Sequence, residues 1–256
     1  MKIAELLRQT QKGGGIVVLL VLLAVSGCAV PPAKESAPGA LPPGVTRRPV
    51  LEASLGTPPP VGWKSQVQER TRPQPGKNVV RHTNSALYYT LEGTHELVRG
   101  DTVQTFSGGQ AVFVPAEVEH IHRMLPLGST LLTFEIYFAR GDTSRPTPPP
   151  GARLLYFSEK PVEVIAGGPY TVRVDEFTFL PGARWDLTPR EPLINYVLEG
   201  IKTRRVADQV LRHEPGSALE LPIGTRLTVS NEGTTPMRFL AVVLVPTPAP
   251  PSAPPR

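Results

Sequence analysis

Cys28 is the only cysteine among 256 residues, so no disulfide can form within the chain and the fold must hold by packing alone. After residue 75 helical periodicity is nearly absent, which excludes helical bundles and coiled coils. Excess charge is also scarce. The formal net charge is +5, but the first 27 residues hold Lys2, Arg8 and Lys12 against Glu5, leaving 24 basic and 21 acidic residues, a net +3. No run of basic residues interleaves with aromatics, and Arg204-Arg205 reads as a solvated strand edge, so nucleic acid is excluded as a partner. There is no G-x-S-x-G elbow and no phosphate-cradling glycine loop. A glycosidase carboxylate pair has no positive signal, since only spatial separation would identify it.

What is present is an uneven chain. Hydrophobic residues make up 40% and charged residues 19%, close to globular averages, so the chain is not disordered throughout. Yet 21 of the 31 prolines fall in Pro31–Pro75, Pro146–Pro150 and Pro246–Pro255, which reads those stretches as linkers and a tail. The folded remainder, roughly 170 residues, suits one ordinary domain or two small ones.

The N-terminus places Lys2, Arg8 and Lys12 before the apolar stretch Ile16–Val25, too short to span a bilayer and suited to an export signal. Val25-Ser26-Gly27-Cys28 resembles the bacterial lipobox. That resemblance implies cleavage before Cys28, a diacylglycerol on its thiol, and a membrane as partner. With Cys28 lipidated, no cysteine nucleophile remains. Residues 29–75 would then act as a stiff extended spacer. By resemblance again, Ala29 favours the outer membrane, with the protein facing the periplasm.

Beyond the spacer, short apolar alternations bounded by glycine and proline predict strands, and the folded part reads as all-β. Examples are Gln110–Pro115, Leu131–Phe138, Thr171–Phe179 and Met237–Val245. In the third, Val172 and Val174 share one parity while Phe177 and Phe179 share the other, which predicts a β-bulge near Asp175 and Glu176. An internal repeat at a constant offset of 107 residues then organises the chain. Tyr89, Leu91, Glu92, Gly93, Gly109 and Pro115 recur as Tyr196, Leu198, Glu199, Gly200, Gly216 and Pro222.

The motif Y-x-L-E-G, then a glycine, then a proline five residues before His120, resembles the cupin family. Over about 170 residues the resemblance implies a bicupin: two small antiparallel jelly-roll barrels, each with a pocket in its mouth and its motif proline at a strand start. The resulting organisation is a signal peptide (1–27), a proline-rich linker (28–75), cupin domain 1 (76–145), a linker (146–153), cupin domain 2 (154–246) and a disordered tail (247–256). Residues 154–165 would supply the leading strands of domain 2. Pairing of barrels edge to edge into a homodimer is a further implication of the resemblance.

Metal-binding cupins use two histidines and a glutamate in the first motif and one histidine in the second. By that pattern His82 and His120 match, Ala86 stands where the glutamate would be, and Val80 replaces the other histidine. His122, two residues beyond His120 on the same strand face, is a replacement ligand. Three imidazoles with open positions suit a single zinc, iron, copper or nickel ion in domain 1. Glu135 is a conceivable fourth ligand, and Tyr88 and Thr90 share the parity that faces the pocket. The same positions in domain 2 are Pro189, Leu193, Leu227 and Val229, which bind no metal in that register and predict a filled core or an apolar cavity. Trp185 reads as core, and His95 and His213 read as surface residues.

Two function classes stay open. In one, a non-catalytic or weakly catalytic envelope lipoprotein binds a small molecule or supports an assembly. In the other, the histidine cluster holds a metal for dioxygenase or isomerase chemistry.

Overall fold

The computed structural model describes residues 40–56, 63–71, 79–126, 129–138, 147–148, 150–160, 168–221 and 223–247. The signal segment, Cys28, Pro222 and the tail from residue 248 on lie outside them. Every regular element among the described residues is a β-strand. Four antiparallel sheets result. One has the order β1 (Val45–Gly56), β11 (Tyr170–Phe179), β18 (Met237–Pro246), β13 (Leu193–Glu199), β16 (Ala218–Leu221). Its counterpart has the order β10 (Ala152–Phe157), β2 (Trp63–Thr71), β9 (Thr130–Phe138), β4 (Ser85–Thr90), β7 (Ala111–Val114). Each is accompanied in its own half by a four-stranded sheet. These are β12 (Arg184–Leu187), β17 (Leu227–Asn231), β14 (Lys202–Val206), β15 (Gln209–His213), and β3 (Val80–Arg81), β8 (Glu119–Leu125), β5 (Thr94–Arg99), β6 (Thr102–Ser107).

Three apolar layers hold these sheets. The largest joins Val67, Leu87, Tyr89 and Leu132 of the first half to Val172, Val174, Ile194, Tyr196, Leu240 and Val242 of the second. A second, with Phe177, Phe179, Leu227, Val229 and Phe239, lines the second barrel, and a third, with Tyr88, Leu97, Val112 and Met124, lies inside the first. The two five-stranded sheets are therefore buried on both faces, and each apolar side chain of this size contributes about 1.5–3 kcal/mol on burial.

That double burial corrects the bulge expected in β11. Val172 and Val174 enter the shared layer while Phe177 and Phe179, on the opposite face, enter the second barrel. The strand pairs with β18 without a register shift. The irregularity sits instead on the partner strand, between Pro49 and Leu51 of β1. Pro49 is tolerated there because β1 is an edge strand and a bulge needs no ladder N–H.

The spacer expected over residues 29–75 is corrected as well, since it contains β1 and β2. Its prolines masked two alternating segments. The halves also exchange their leading strands: β1 pairs with β11 of the second half, whereas β10, expected to open the second half, pairs with β2 of the first. Neither half is thus a continuous stretch of chain. The rest of 154–165 beyond residue 160 lies outside the described residues. Pro115, expected at a strand start, follows the last residue of β7.

Polar contacts repeat the exchange. Arg48 of β1 ion-pairs with Glu176 of β11, and its Nη2 donates to Gly109 O of the first half at 3.2 Å. Arg153 of β10 pairs with Glu69 of β2 at 3.2 Å, and Tyr196 OH of the second half donates to the same carboxylate at 3.3 Å. Burial alone would raise the Glu176 carboxyl, but hydrogen bonds from Arg48 and Arg238 outweigh it and hold its pKa below the ordinary value.

The motif glycines are explained by backbone approach. Gly200 has φ +70, and a Cβ there would stand 2.9 Å from Met237 Cα and 3.0 Å from Pro236 O. Gly93 has φ +79, and a Cβ there would meet Leu125 O at 2.9 Å. Gly200→Ala therefore combines a left-handed backbone with a clash against main chain, and it is expected to destabilise the fold by about 3 kcal/mol in denaturant unfolding. A loss under about 0.5 kcal/mol would contradict that account.

Candidate metal centre in the first barrel

Two elements deliver the histidines. His82 follows β3, while His120 and His122 sit on β8 at i and i+2, so both point into the barrel with Met124. Backbone pairing of Val80 with His120 holds the β3 end beside them. His120 and His122 are each 2% exposed, so they are taken out of water by the barrel itself.

One ligand atom from each of His82, His120 and His122 lies within 4.8 Å of the other two. Two metal–nitrogen bonds of about 2.1 Å span at most roughly 4.2 Å, so the set fits one ion with small torsional adjustment. His120 Nε2 and His122 Nε2 are 2.9 Å apart. All donors are neutral nitrogens, because the glutamate position is Ala86, a 1%-exposed residue of the barrel core. Glu135 pairs with Gln66 and Ala86 through its backbone, and its side chain lies outside the described residues.

A fourth histidine was missed from sequence. His95 was expected at the surface, but it is 1% exposed, and its Nε2 lies 2.8 Å from His122 Nδ1. The signal was available: on β5 His95 and Leu97 share one parity, and Leu97 is core. A lone polar residue after the motif glycine outweighed that pattern.

The partners constrain the tautomers. His120 Nδ1 lies 2.7 Å from Val118 O, which can only accept, so Nδ1 carries a proton. His122 Nε2 contacts His120 Nε2, and His122 Nδ1 lies 2.8 Å from His95 Nε2, so the three rings form one continuous run of contacts. For His122 Nε2 to serve as a ligand, the His122 proton must sit on Nδ1, with His95 Nε2 accepting it and the His95 proton on its own Nδ1. Val118 and His95 are thus the groups that orient the two ligands.

Tyr88 lies in the same cavity wall. Its hydroxyl is 3.1 Å from His82 Nε2, and its ring centroid is 4.4 Å from that of His122. Thr90 is buried too, but its hydroxyl donates to Phe106 O at 3.3 Å, which makes it a support of β6 rather than of the cluster.

In the second barrel, Leu227 and Val229 are buried at the positions equivalent to His120 and His122, and Leu193 packs against them. Trp185 packs on Phe177 with centroids 5.4 Å apart, as core. His213, expected at the surface, is half-buried, and burial followed by the charges of Arg204 and Lys202 lowers its pKa to about 4.

No family model and no curated protein matches this chain. Solved structures do. Bacillus subtilis oxalate decarboxylase is similar with a TM-score of 0.52 and 13% identity, over 82% of this chain and 79% of that one. The chain has a bicupin fold. AerE from Microcystis aeruginosa is similar at a TM-score of 0.50 and 15% identity, over 72% of this chain and 87% of that one. At these identities the likeness carries the bicupin architecture and no activity.

His95→Ala is expected to weaken binding of a divalent metal by about 10–100-fold, measured by competition with a chromophoric chelator, while the far-UV spectrum stays all-β. Unchanged affinity would remove His95 from the orienting role.

Proposed function

We propose that the first barrel holds a single divalent transition metal ion through His82, His120 and His122 and presents it to a small molecule, within a lipoprotein of the bacterial envelope. The observation that carries this reading is the convergence of three buried or half-buried imidazoles on one point. Bacillus subtilis oxalate decarboxylase, a structure of the same fold, has Mn(II) centres. Bound there, an ion would act as a Lewis acid with open positions for a ligand oxygen. Tyr88 would steer that ligand by hydrogen bonding, and the barrel wall of Leu97, Val112 and Met124 would limit water around it. Three neutral donors leave the full metal charge uncompensated, which favours an anionic or oxygen-rich small molecule.

A second reading is favoured by the run of contacts that links His95, His122, His120 and Val118 O without an ion. In it the cluster is a polar pocket of a non-catalytic protein that binds a small molecule or supports an envelope assembly.

Metal content decides between them. The full chain, purified in detergent without an affinity tag, is expected to hold close to one metal ion per chain, lost in the His82→Ala/His120→Ala double variant. Absence of metal from both, even after loading with zinc, iron, copper, nickel and manganese, would leave the pocket reading.

Attachment through Cys28 completes the proposal and rests on the lipobox resemblance. Expressed in a double-membraned bacterium, the full chain should fractionate with outer membranes and gain the mass of a diacylglycerol, and Cys28→Ala should abolish both. Soluble, unmodified parent protein would refute the anchor.

A further inference from the structure

At an offset of 107 residues, the polar interior of the first barrel has a chemically opposite counterpart. Tyr88, His95, Leu97 and Phe106 become Asn195, Lys202, Arg204 and His213. Lys202 and Arg204 alternate along β14, and Lys202 pairs across the ladder with His213. Lys202 is completely buried; its Nζ donates to Asn195 Oδ1 and stands 3.9 Å above the Phe239 ring. Arg204 pairs across the ladders with Val229 and Leu211, and Val229 belongs to the barrel core, which places the guanidinium on the same inner face.

These basic groups are not compensated. Among the described residues, no carboxylate is ion-paired with Lys202, Arg204 or His213. Three buried nitrogens here have no hydrogen-bond partner: Asn195 Nδ2, Arg204 Nε and His213 Nε2. Asn195 is itself only 1% exposed. Leaving such groups unmade is costly, and three of them gathered around buried basic side chains call for a polar partner. The electrostatics agree. Burial, then the charge of Arg204, pulls Lys202 well below the ordinary lysine pKa, and His213 is lowered by burial and by both neighbours.

We propose that the second barrel is an anion site in which Lys202, Arg204, His213 and Asn195 receive a small organic monocarboxylate with an apolar body. The carboxylate supplies the missing negative charge and accepts from the unpaired N–H groups. The neighbouring Phe239, Val229 and Trp185 offer hydrocarbon walls to the rest of the molecule, which disfavours phosphate and inorganic anions. The site is metal-free and independent of the histidine cluster. The second half was expected to be a filled core or an apolar cavity, and the basic groups that qualify it lie one strand away from the positions that lost their metal ligands.

Calorimetric titration of the full chain in detergent at constant ionic strength tests this, with benzoate and propionate as probes and benzamide, chloride and inorganic phosphate for comparison. Saturable carboxylate binding is expected, with the comparison compounds at least about tenfold weaker. Arg204→Gln and Lys202→Met should each lose about tenfold or more while keeping the parent's far-UV spectrum, and Lys202→Met should also raise the melting temperature by relieving a buried amine. His82→Ala/His120→Ala should bind carboxylate as the parent does. Four results would overturn the site: no saturable binding, tighter binding of phosphate, parent-like binding by both folded second-barrel variants, or loss of binding in the histidine variant. Only the last would place the anion at the metal centre.

Discussion

Burial of each five-stranded sheet on both faces is the constraint from which the rest of the structure follows. One face closes a barrel and the other meets its twin across a layer that includes Tyr89, Tyr196, Leu132 and Leu240. Neither half has a disulfide or a helix among the described residues to lean on. The shared layer therefore replaces what a small domain on its own would lack in apolar burial. Reciprocal strand addition reinforces it, because β1 cannot leave the second half, nor β10 the first, without exposing backbone ladder and the Glu176 and Glu69 carboxylates.

That rigidity is what lets two short strands bring together a candidate metal-ligand set. His120 and His122 are fixed by the ladder of β8 with β5, the strand that also delivers His95. Orientation of His120 and His122 is thus built into the sheet, while His82 sits just beyond the end of β3. The second barrel uses the same backbone positions for another purpose. With leucine and valine on β17 there is no donor set, and the polar burden moves to β14 and β15 as Lys202, Arg204 and His213. One scaffold, duplicated, carries two interiors of different chemistry, and the glycines at 93 and 200 that permit the tight approach are common to both.

Fold and repeat were legible because they rest on local or periodic signals: alternation, positive-φ glycines and a constant offset. His82 and His120 were legible through the resemblance to metal-binding cupins, and His122 through its i, i+2 spacing from His120 on one strand face. His95 was hidden because a single polar residue on a strand has no parity signal of its own until its neighbours' burial is known. β1 and β2 were hidden because proline density was a stronger cue than their alternation, and because an edge strand with a bulge tolerates the proline that a central strand forbids.

By itself the amino-acid sequence determined an all-β duplicated chain, the motif glycines, and three candidate ligand histidines. Those properties depend on residue type and separation along the chain, which the pleat converts directly into faces. Only the tertiary structure decided that the leading strands are exchanged, that β11 buries opposite faces in different cores, and that His95 joins His122 while Lys202 meets Asn195 and His213. Those are contacts between residues distant in sequence or on separate strands. They exist because two sheets each needed cover for a second apolar face, and no local pattern records which partner provides it.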